Sequence, residues 1–452
     1  MLFNEARFFV FFLIVLSVYW AVRSNLVRKL WLLGTSYAFY AGWDWRFLSL
    51  LVLSTAVDFC VGLGLGHTSA PARRKALLTV SIIAQLTLLG FFKYYNFFVG
   101  SAAEFLRWLG IPVGDVALQI ILPVGISFYT FETLSYTIDV YRRVLPPTRS
   151  FVDFALFIAF FPKLIAGPIL RARDFLPQLE EKRSWARDVR VQASLMLFLW
   201  GFIKKACLAD HVSTIVDEVF AEPAAYSTAS VWLGMALYHV QVYCDFSGYS
   251  DMAIGIAGLL GLKLAQNFAF PFFATSIGEF WRRWHISLGT WLKDYIYIPL
   301  GGGRASWPKR FRNVYVTIMV CGLWHGAAWN FLLFGLLHAT YVFIDQRWKA
   351  SEVRKGMLGR ISAAVSLPLT TVLLFLGWPI FRSESYEGSM QLFRTMLFVG
   401  AAIVHWIFYR RILHDLFASP PRWFFAVAYG VLWALALPWV ATGYKPFIYF
   451  QF

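Results

Sequence analysis

The chain has 452 residues, of which 59% are hydrophobic and 15% charged, and its mean hydropathy is +0.59. Soluble domains run near 45–50% apolar and about 25% charged, so these values argue against a soluble globular enzyme and exclude disorder; in a bilayer the length allows on the order of ten spans of about 20 residues. The net charge of +16 does not mark a nucleic-acid binder, because the basic residues fall between apolar runs, as in the cytoplasmic loops of membrane proteins.

In chain order, an apolar run from Phe8 to Trp20 is followed, not preceded, by Arg23, Arg28 and Lys29. A secretory signal has the opposite charge order, so this run is a first helix that ends on the cytoplasmic side. Further apolar runs follow at 30–42, 47–66, 76–92, 119–138, 151–169, 191–209, 229–262, 311–344, 361–380, 392–409 and 423–441. Strict alternation places Arg73–Lys75, Arg142–Arg143 and the basic stretch 171–190 inside, and 100–116 and an acidic loop with Asp210, Asp217, Glu218 and Glu222 outside. Charge and alternation agree up to about residue 262. Cys60, Cys207, Cys244 and Cys321 lie scattered in apolar segments with no C-x-x-C pair, which reads as small buried side chains and neither a zinc site nor a disulfide framework.

Two segments break the pattern. The run 229–262 is too long for one ordinary span, and Tyr243–Asp251 interrupts it with Asp245, Gly248 and Asp251; carboxylates at that depth are tolerated only beside a cavity or within protein. The segment 277–298 reads as an amphipathic interfacial or re-entrant helix. Phe280, Trp281, Trp284 and Leu288 form its apolar stripe, Glu279, Arg282, Arg283, Lys293 and Asp294 its charged side, and Pro299 with Gly301–Gly303 ends it. With no internal repeat or flexible linker, residues 1–452 read as a single membrane-embedded domain.

No G-x-S-x-G, H-E-x-x-H or phosphate-loop motif is present. The informative residues are histidines. His67, His211 and His414 read as solvated, and His239, His338 and His405 as packing residues with hydrogen bonds between helices. His285 falls on the apolar stripe of 277–298, and His325 lies mid-way along an apolar stretch between Trp324 and Trp329 with small neighbours. An ionisable group at that depth is a functional candidate, with a structural histidine as the bland alternative.

Phe280–Leu288 (FWRRWHISL), Trp291–Gly302 (WLKDYIYIPLGG) and Gly322–Gly326 (GLWHG) resemble the membrane-bound O-acyltransferase (MBOAT) superfamily, in its bacterial alginate O-acetylation branch. Leu122–Phe128, Phe160–Ile169, Asp245–Asp251 and Phe447–Phe452 extend the resemblance along nearly the whole chain; Gly303 departs from it, standing where the branch usually has asparagine.

The resemblance implies an all-α polytopic fold of about 11–12 transmembrane segments plus re-entrant helices, a ring around a funnel, in the bacterial inner membrane. It also implies that acetyl groups from cytoplasmic acetyl-CoA, a substrate and not a bound cofactor, pass to an extracytoplasmic polysaccharide through a periplasmic or membrane-anchored acetyltransferase partner. His325 is then catalytic and His285 the second conserved polar position. Trp281, Trp284, Trp324, Arg282, Asp245 and Asp251 would shape the tunnel, although a structural role for the two carboxylates fits as well. No metal and no nucleic acid are called for. The rivals are D-alanyl transfer to teichoic acid within the superfamily and, from another class, a proton-coupled transporter or polymer exporter, whose cue of repeated halves is missing.

Overall fold

The computed structural model describes residues 2–114, 117–222, 225–351 and 357–382, with short stretches of helix between 426 and 434. The expected runs at 392–409 and most of 423–441, with His405, His414 and the terminal motif 447–452, lie outside the described residues. Among the described residues there are helices and no strands. The helical runs Asn25–His67, Pro71–Trp108 and Val191–Ala221 are long and apolar enough to cross a bilayer. The protein is an all-α polytopic membrane protein, and its described residues form two compact units.

The first unit comprises the chain up to Val189 with Ala257–Leu264. Its helices are α1 (Ala6–Ala21), α2 (Asn25–Asp44), α3 (Leu48–His67), α4 (Pro71–Leu89), α5 (Tyr95–Trp108), α6 (Ile126–Tyr141), α7 (Phe151–Ala159), α8 (Phe161–Leu164), α9 (Ala172–Glu180) and α10 (Trp185–Asp188). A wider turn at Gly90–Tyr94 carries α4 into α5, so helix continues to Trp108 and reaches into the stretch expected as an outer loop.

Several basic residues expected in cytoplasmic loops also close helix ends. The buried Arg28 donates to Val22 O (2.6 Å) and Arg183 O (2.8 Å). Arg74, also buried, reaches the last carbonyls of α6 at Val140 (3.0 Å) and Tyr141 (2.9 Å) and those of α3 at Leu65 and Thr68. A guanidinium suits this task, since the terminal carbonyls of a helix have no partner of their own and carry its negative end.

The run 151–169 is not one span. The chain leaves α7 at Phe160, Pro162 opens the single turn of α8, and the backbone then runs irregularly to Arg171. Irregular backbone needs internal partners in a membrane protein. Glu132 of α6 supplies them, accepting from Leu170 N (2.9 Å) and pairing with Lys163, whose ammonium also donates to Ile158 O (2.8 Å). Both side chains are 1% exposed.

The second unit comprises Arg190–Ile256 and Ala265 onward. Its helices are α11 (Val191–Phe202), α12 (Asp210–Ala221), α13 (Thr228–Leu259, which passes into the first unit at Ala257), α14 (Ile277–Arg283), α15 (Ile286–Leu292), α16 (Trp307–His325), α17 (Trp329–Lys349) and α18 (Met357–Arg382).

Four expectations change here. The acidic "loop" at 210–222 is helix α12, joined to α11 by a wide turn at Ile203–Ala209, and Asp210 is buried. The run 229–262 is not interrupted: α13 continues for 32 residues, because the carboxylates that argued for a break find lysines on the facing wide turn. The segment 277–298 is two short helices, α14 of seven residues and α15 of seven that runs on through a wide turn at Lys293–Tyr297. At about 1.5 Å per residue neither is long enough for a hydrocarbon core of about 30 Å. Finally, the apolar stretch 311–344 turns back on itself at Gly326–Ala328, so His325 is the last residue of α16 and not mid-helix. Gly326 is needed at that turn, since a Cβ would run into the Phe331 ring.

Glycines set the spacing of α11 and α13. A Cβ on Gly248 would lie 2.7 Å from Gly201 O, one on Gly201 would lie 2.5 Å from Gly248 O, and one on Gly255 would lie 2.7 Å from Ser194 O. Between membrane helices such small-residue seams replace the hydrophobic drive with close backbone packing. Gly248→Val should therefore lower the thermal midpoint of detergent-solubilised protein by many degrees. Gly34→Ala, where a Cβ meets nothing within 4 Å, should leave it unchanged in the same assay.

Candidate active site

His285 stands between α14 and α15 with a left-handed backbone, φ 43° and ψ 55°. It is one of three described non-glycine residues at positive φ. Such a conformation costs on the order of 1–3 kcal/mol and persists only where its surroundings impose it. Asn267 does so: its carbonyl accepts from Ile286 N (2.9 Å) and its side-chain oxygen from Ser287 Oγ (2.6 Å), while its amide donates to Ser250 Oγ of α13 (3.1 Å). The break swings the imidazole, 1% exposed, off the expected amphipathic stripe and against Phe246 (ring centroids 4.6 Å) and Trp324 (5.4 Å).

His325 packs edge-on against the same indole, 5.1 Å from the Trp324 ring centroid with the planes at 80°. Cys321, one turn earlier on α16, places its Sγ 4.0 Å from His325 Nε2. The end of α16 is held close to α17, for a Cβ on Gly322 would collide with Phe331 O. As the last residue of a 19-residue helix, His325 lies where the helix carbonyls favour positive charge.

A narrow cavity opens beside His325. Trp281, Trp284, His338 and Trp378 line it with His325, and Phe280, Phe334, Leu374 and Phe381 complete its walls. The cavity thus brings together three of the residues expected from sequence: His325, Trp281 and Trp284. His285 and Trp324 stand behind His325. Arg282 is exposed on α14.

Asp245 and Asp251 do not line the cavity. Asp245 meets Lys205 at 2.5 Å, and Lys205 also holds Asp210 at 2.7 Å. Asp251 pairs with Lys204, which donates to Ser247 as well. Sequence reading missed both lysines, which sit in an apolar run with no visible partner; the complementary carboxylates some forty residues on were the available signal.

At the cavity's edge α14 docks on α17. Asp345 accepts from Gly278 N (3.1 Å) at the start of α14 and from Lys349 (2.7 Å), a carboxylate at a helix N-terminus. Burial would raise the pKa of Glu279, but hydrogen bonds from Thr275 and the ion pair with Arg283 hold it below the usual carboxylate value. Glu279, on the charged side expected for this segment, therefore stays ionised.

Other expectations fall out simply. His67 and His211 are exposed, although on helices and not in loops. His239 is a packing residue, its ring 3.9 Å from Phe272 and 4.7 Å from Phe375. Cys244 and Cys321 are buried, but Cys60 is exposed. Among the described residues no set of three or more His, Cys, Asp or Glu is arranged to hold a metal.

The family model described as MBOAT, membrane-bound O-acyltransferase family, matches residues 133–355. A probable alginate O-acetylase of Azotobacter vinelandii is 41% identical over 399 residues, 87% of this chain and 77% of that protein. The chain belongs to the membrane-bound O-acyltransferase family. A probable alginate O-acetylase of Pseudomonas aeruginosa is 39% identical over 88% of this chain and 75% of its own length. A peptidoglycan O-acetyltransferase of Helicobacter pylori is 33% identical over 90% and 81%. The matched region of this membrane-bound O-acyltransferase contains His285, His325, His338 and the α11–α13 ion pairs, while Leu374, Trp378 and Phe381 of the cavity wall lie beyond it.

Lys205 serves two carboxylates, so Lys205→Met should strand both and destabilise the protein by about 3–5 kcal/mol, the usual cost of breaking a buried pair. Asp245→Asn leaves Lys205 with Asp210 and should cost much less. It should also leave the transfer rate per folded molecule unchanged, because Asp245 stands off the cavity. Thermal unfolding in detergent with parallel activity per folded protein checks all three.

Proposed function

We propose that this protein takes an acetyl group from acetyl-CoA on the cytoplasmic side of the bacterial inner membrane and passes it on for O-acetylation of an extracytoplasmic polysaccharide, an alginate-like exopolymer or peptidoglycan, with a partner acetyltransferase completing delivery. The observation that carries the reading is His325, a buried imidazole at a helix end, facing a tryptophan-walled cavity. The activities for which the relatives are named, alginate O-acetylase and peptidoglycan O-acetyltransferase, support the acyl group and the class of acceptor.

The chemistry asks for one base. A ring nitrogen of His325 takes the proton of the attacking hydroxyl as its oxygen bonds to the thioester carbonyl carbon. The tetrahedral intermediate then collapses, the C–S bond breaks, and the imidazolium returns the proton to the departing sulfur. Imidazole changes charge near neutral pH and suits both halves of that exchange. The α16 carbonyl end stabilises the positive charge that develops between them. His285 acts as a positioning residue: its ring packs against the Trp324 indole, which in turn packs against His325.

His325→Gln keeps hydrogen bonding and approximate size but cannot take a proton at neutral pH. Loss of a general base typically costs about 10²–10⁴ in rate, so acetate released by alkali from the cells' polysaccharide should fall to background while the variant remains folded in the membrane. Near-normal acetate would move the base to His285. Orientation is tested separately with Lys182→Cys, an exposed position in the basic stretch: an impermeant thiol reagent should label it in inside-out vesicles and not in intact cells.

A further inference from the structure

The cavity also holds polar groups that nothing among the described residues satisfies. Neither ring nitrogen of His338 has a hydrogen-bond partner among the described residues, nor do the indole nitrogens of Trp281 and Trp378. His338 is 1% exposed and Trp378 is 5% exposed. All three line the cavity that His325 faces. Leaving a buried donor unmade costs about 1–3 kcal/mol, and most buried polar groups in folded proteins do find partners. Three such residues together in one small cavity therefore point to an oxygen-bearing ligand.

The surroundings hold these groups in place. The Trp281 indole stands edge-on to the imidazole, centroids 5.2 Å apart and planes at 85°. Phe334 lies 4.3 Å from the same ring. On α18, Gly377 leaves the ring its place, because a Cβ there would lie 2.6 Å from His338 Nε2. A histidine serving only as a packing element would be better replaced by phenylalanine, since every wall around it is aromatic or apolar.

We infer that His338, with the N–H groups of Trp281 and Trp378, forms the site that binds the carbonyl oxygen of the acyl group and stabilises it as an oxyanion while His325 handles the proton. This rests on the acyl-transfer reading above. Indole nitrogens donate only, and a neutral imidazole donates from one nitrogen, so up to three donors can face one oxygen. Fixed donors where negative charge develops act most strongly in a site without water.

The test turns on an inversion at position 338. Thiol release from acetyl-CoA is followed with the purified protein in lipid nanodiscs, with thermal stability measured on the same samples. If His338 binds the oxyanion, His338→Gln, which still donates, keeps turnover within about tenfold of wild type. His338→Phe then folds at least as stably but loses about 10²–10³ in kcat, the cost of one oxyanion donor, with KM little changed. Trp281→Phe and Trp378→Phe lose kcat in the same way. If His338 only packs, the order reverses, Phe turning over normally and Gln being the damaged variant, and that result overturns the inference. His325→Gln runs alongside: normal turnover there refutes the base assignment, while the Phe-against-Gln order at 338 is judged against wild type and stands or falls by itself.

Discussion

Inside a bilayer a charge or a free backbone group has no water to turn to, so the chain must supply its partner. Lys205 is where this requirement is most concentrated. Its ammonium, 3% exposed, joins Asp210 on its own helical run to Asp245 on α13. The neighbouring Lys204 repeats the device with Asp251 and Ser247. The glycines at 201 and 248 bring the two backbones near enough for these contacts. Fixing α13 in this way fixes Ser250, and through Ser250 the Asn267 side chain that starts α15. The strained backbone at His285 thus hangs on a chain of polar contacts that begins at a lysine.

The first unit meets the same constraint with different residues. Glu132 and Lys163 form a pair as buried as any among the described residues, yet replacing such a pair with apolar groups is often neutral for stability. Its value here is positional. Glu132 accepts from Leu170 N and Lys163 donates to Ile158 O, so the pair pins both ends of the interrupted segment between α7 and Arg171. Arg28 and Arg74 do for helix ends what this pair does for the irregular segment.

Hydropathy and charge order made the membrane class, the helical character and most helix positions legible, because the cost of placing polar groups in hydrocarbon dominates composition. What they could not give was local. A 32-residue run with two carboxylates looks broken when the lysines that neutralise them are out of register in sequence. An apolar stripe at helical spacing, as in 277–298, looks continuous when the break depends on Asn267, a residue outside it. For the site, the motifs around His285 and His325 drew the eye to both histidines and to the tryptophans. His338 and Trp378 sit on helices without a distinguishing pattern, and only the packing of α14, α17 and α18 shows what they share.

That packing also explains why the site is built from short and interrupted elements. A continuous helix presents its side chains along a fixed spiral and keeps its backbone satisfied, which leaves little freedom to aim an imidazole. The break at Trp284–His285 releases His285 from that spiral, and the reversal at Gly326 ends the spiral of α16 at His325. These two residues are the histidines that share Trp324. Both breaks are compensated nearby, the first by Asn267 and the second by the close seam of Gly322 and Gly335 between α16 and α17. A rigid α17 then offers His338 at a fixed distance along its length. In the acyl-transfer reading proposed above, the proton acceptor and the oxyanion donors are separate groups, and a helix end and a helix side lining one narrow cavity supply two histidines for those two tasks.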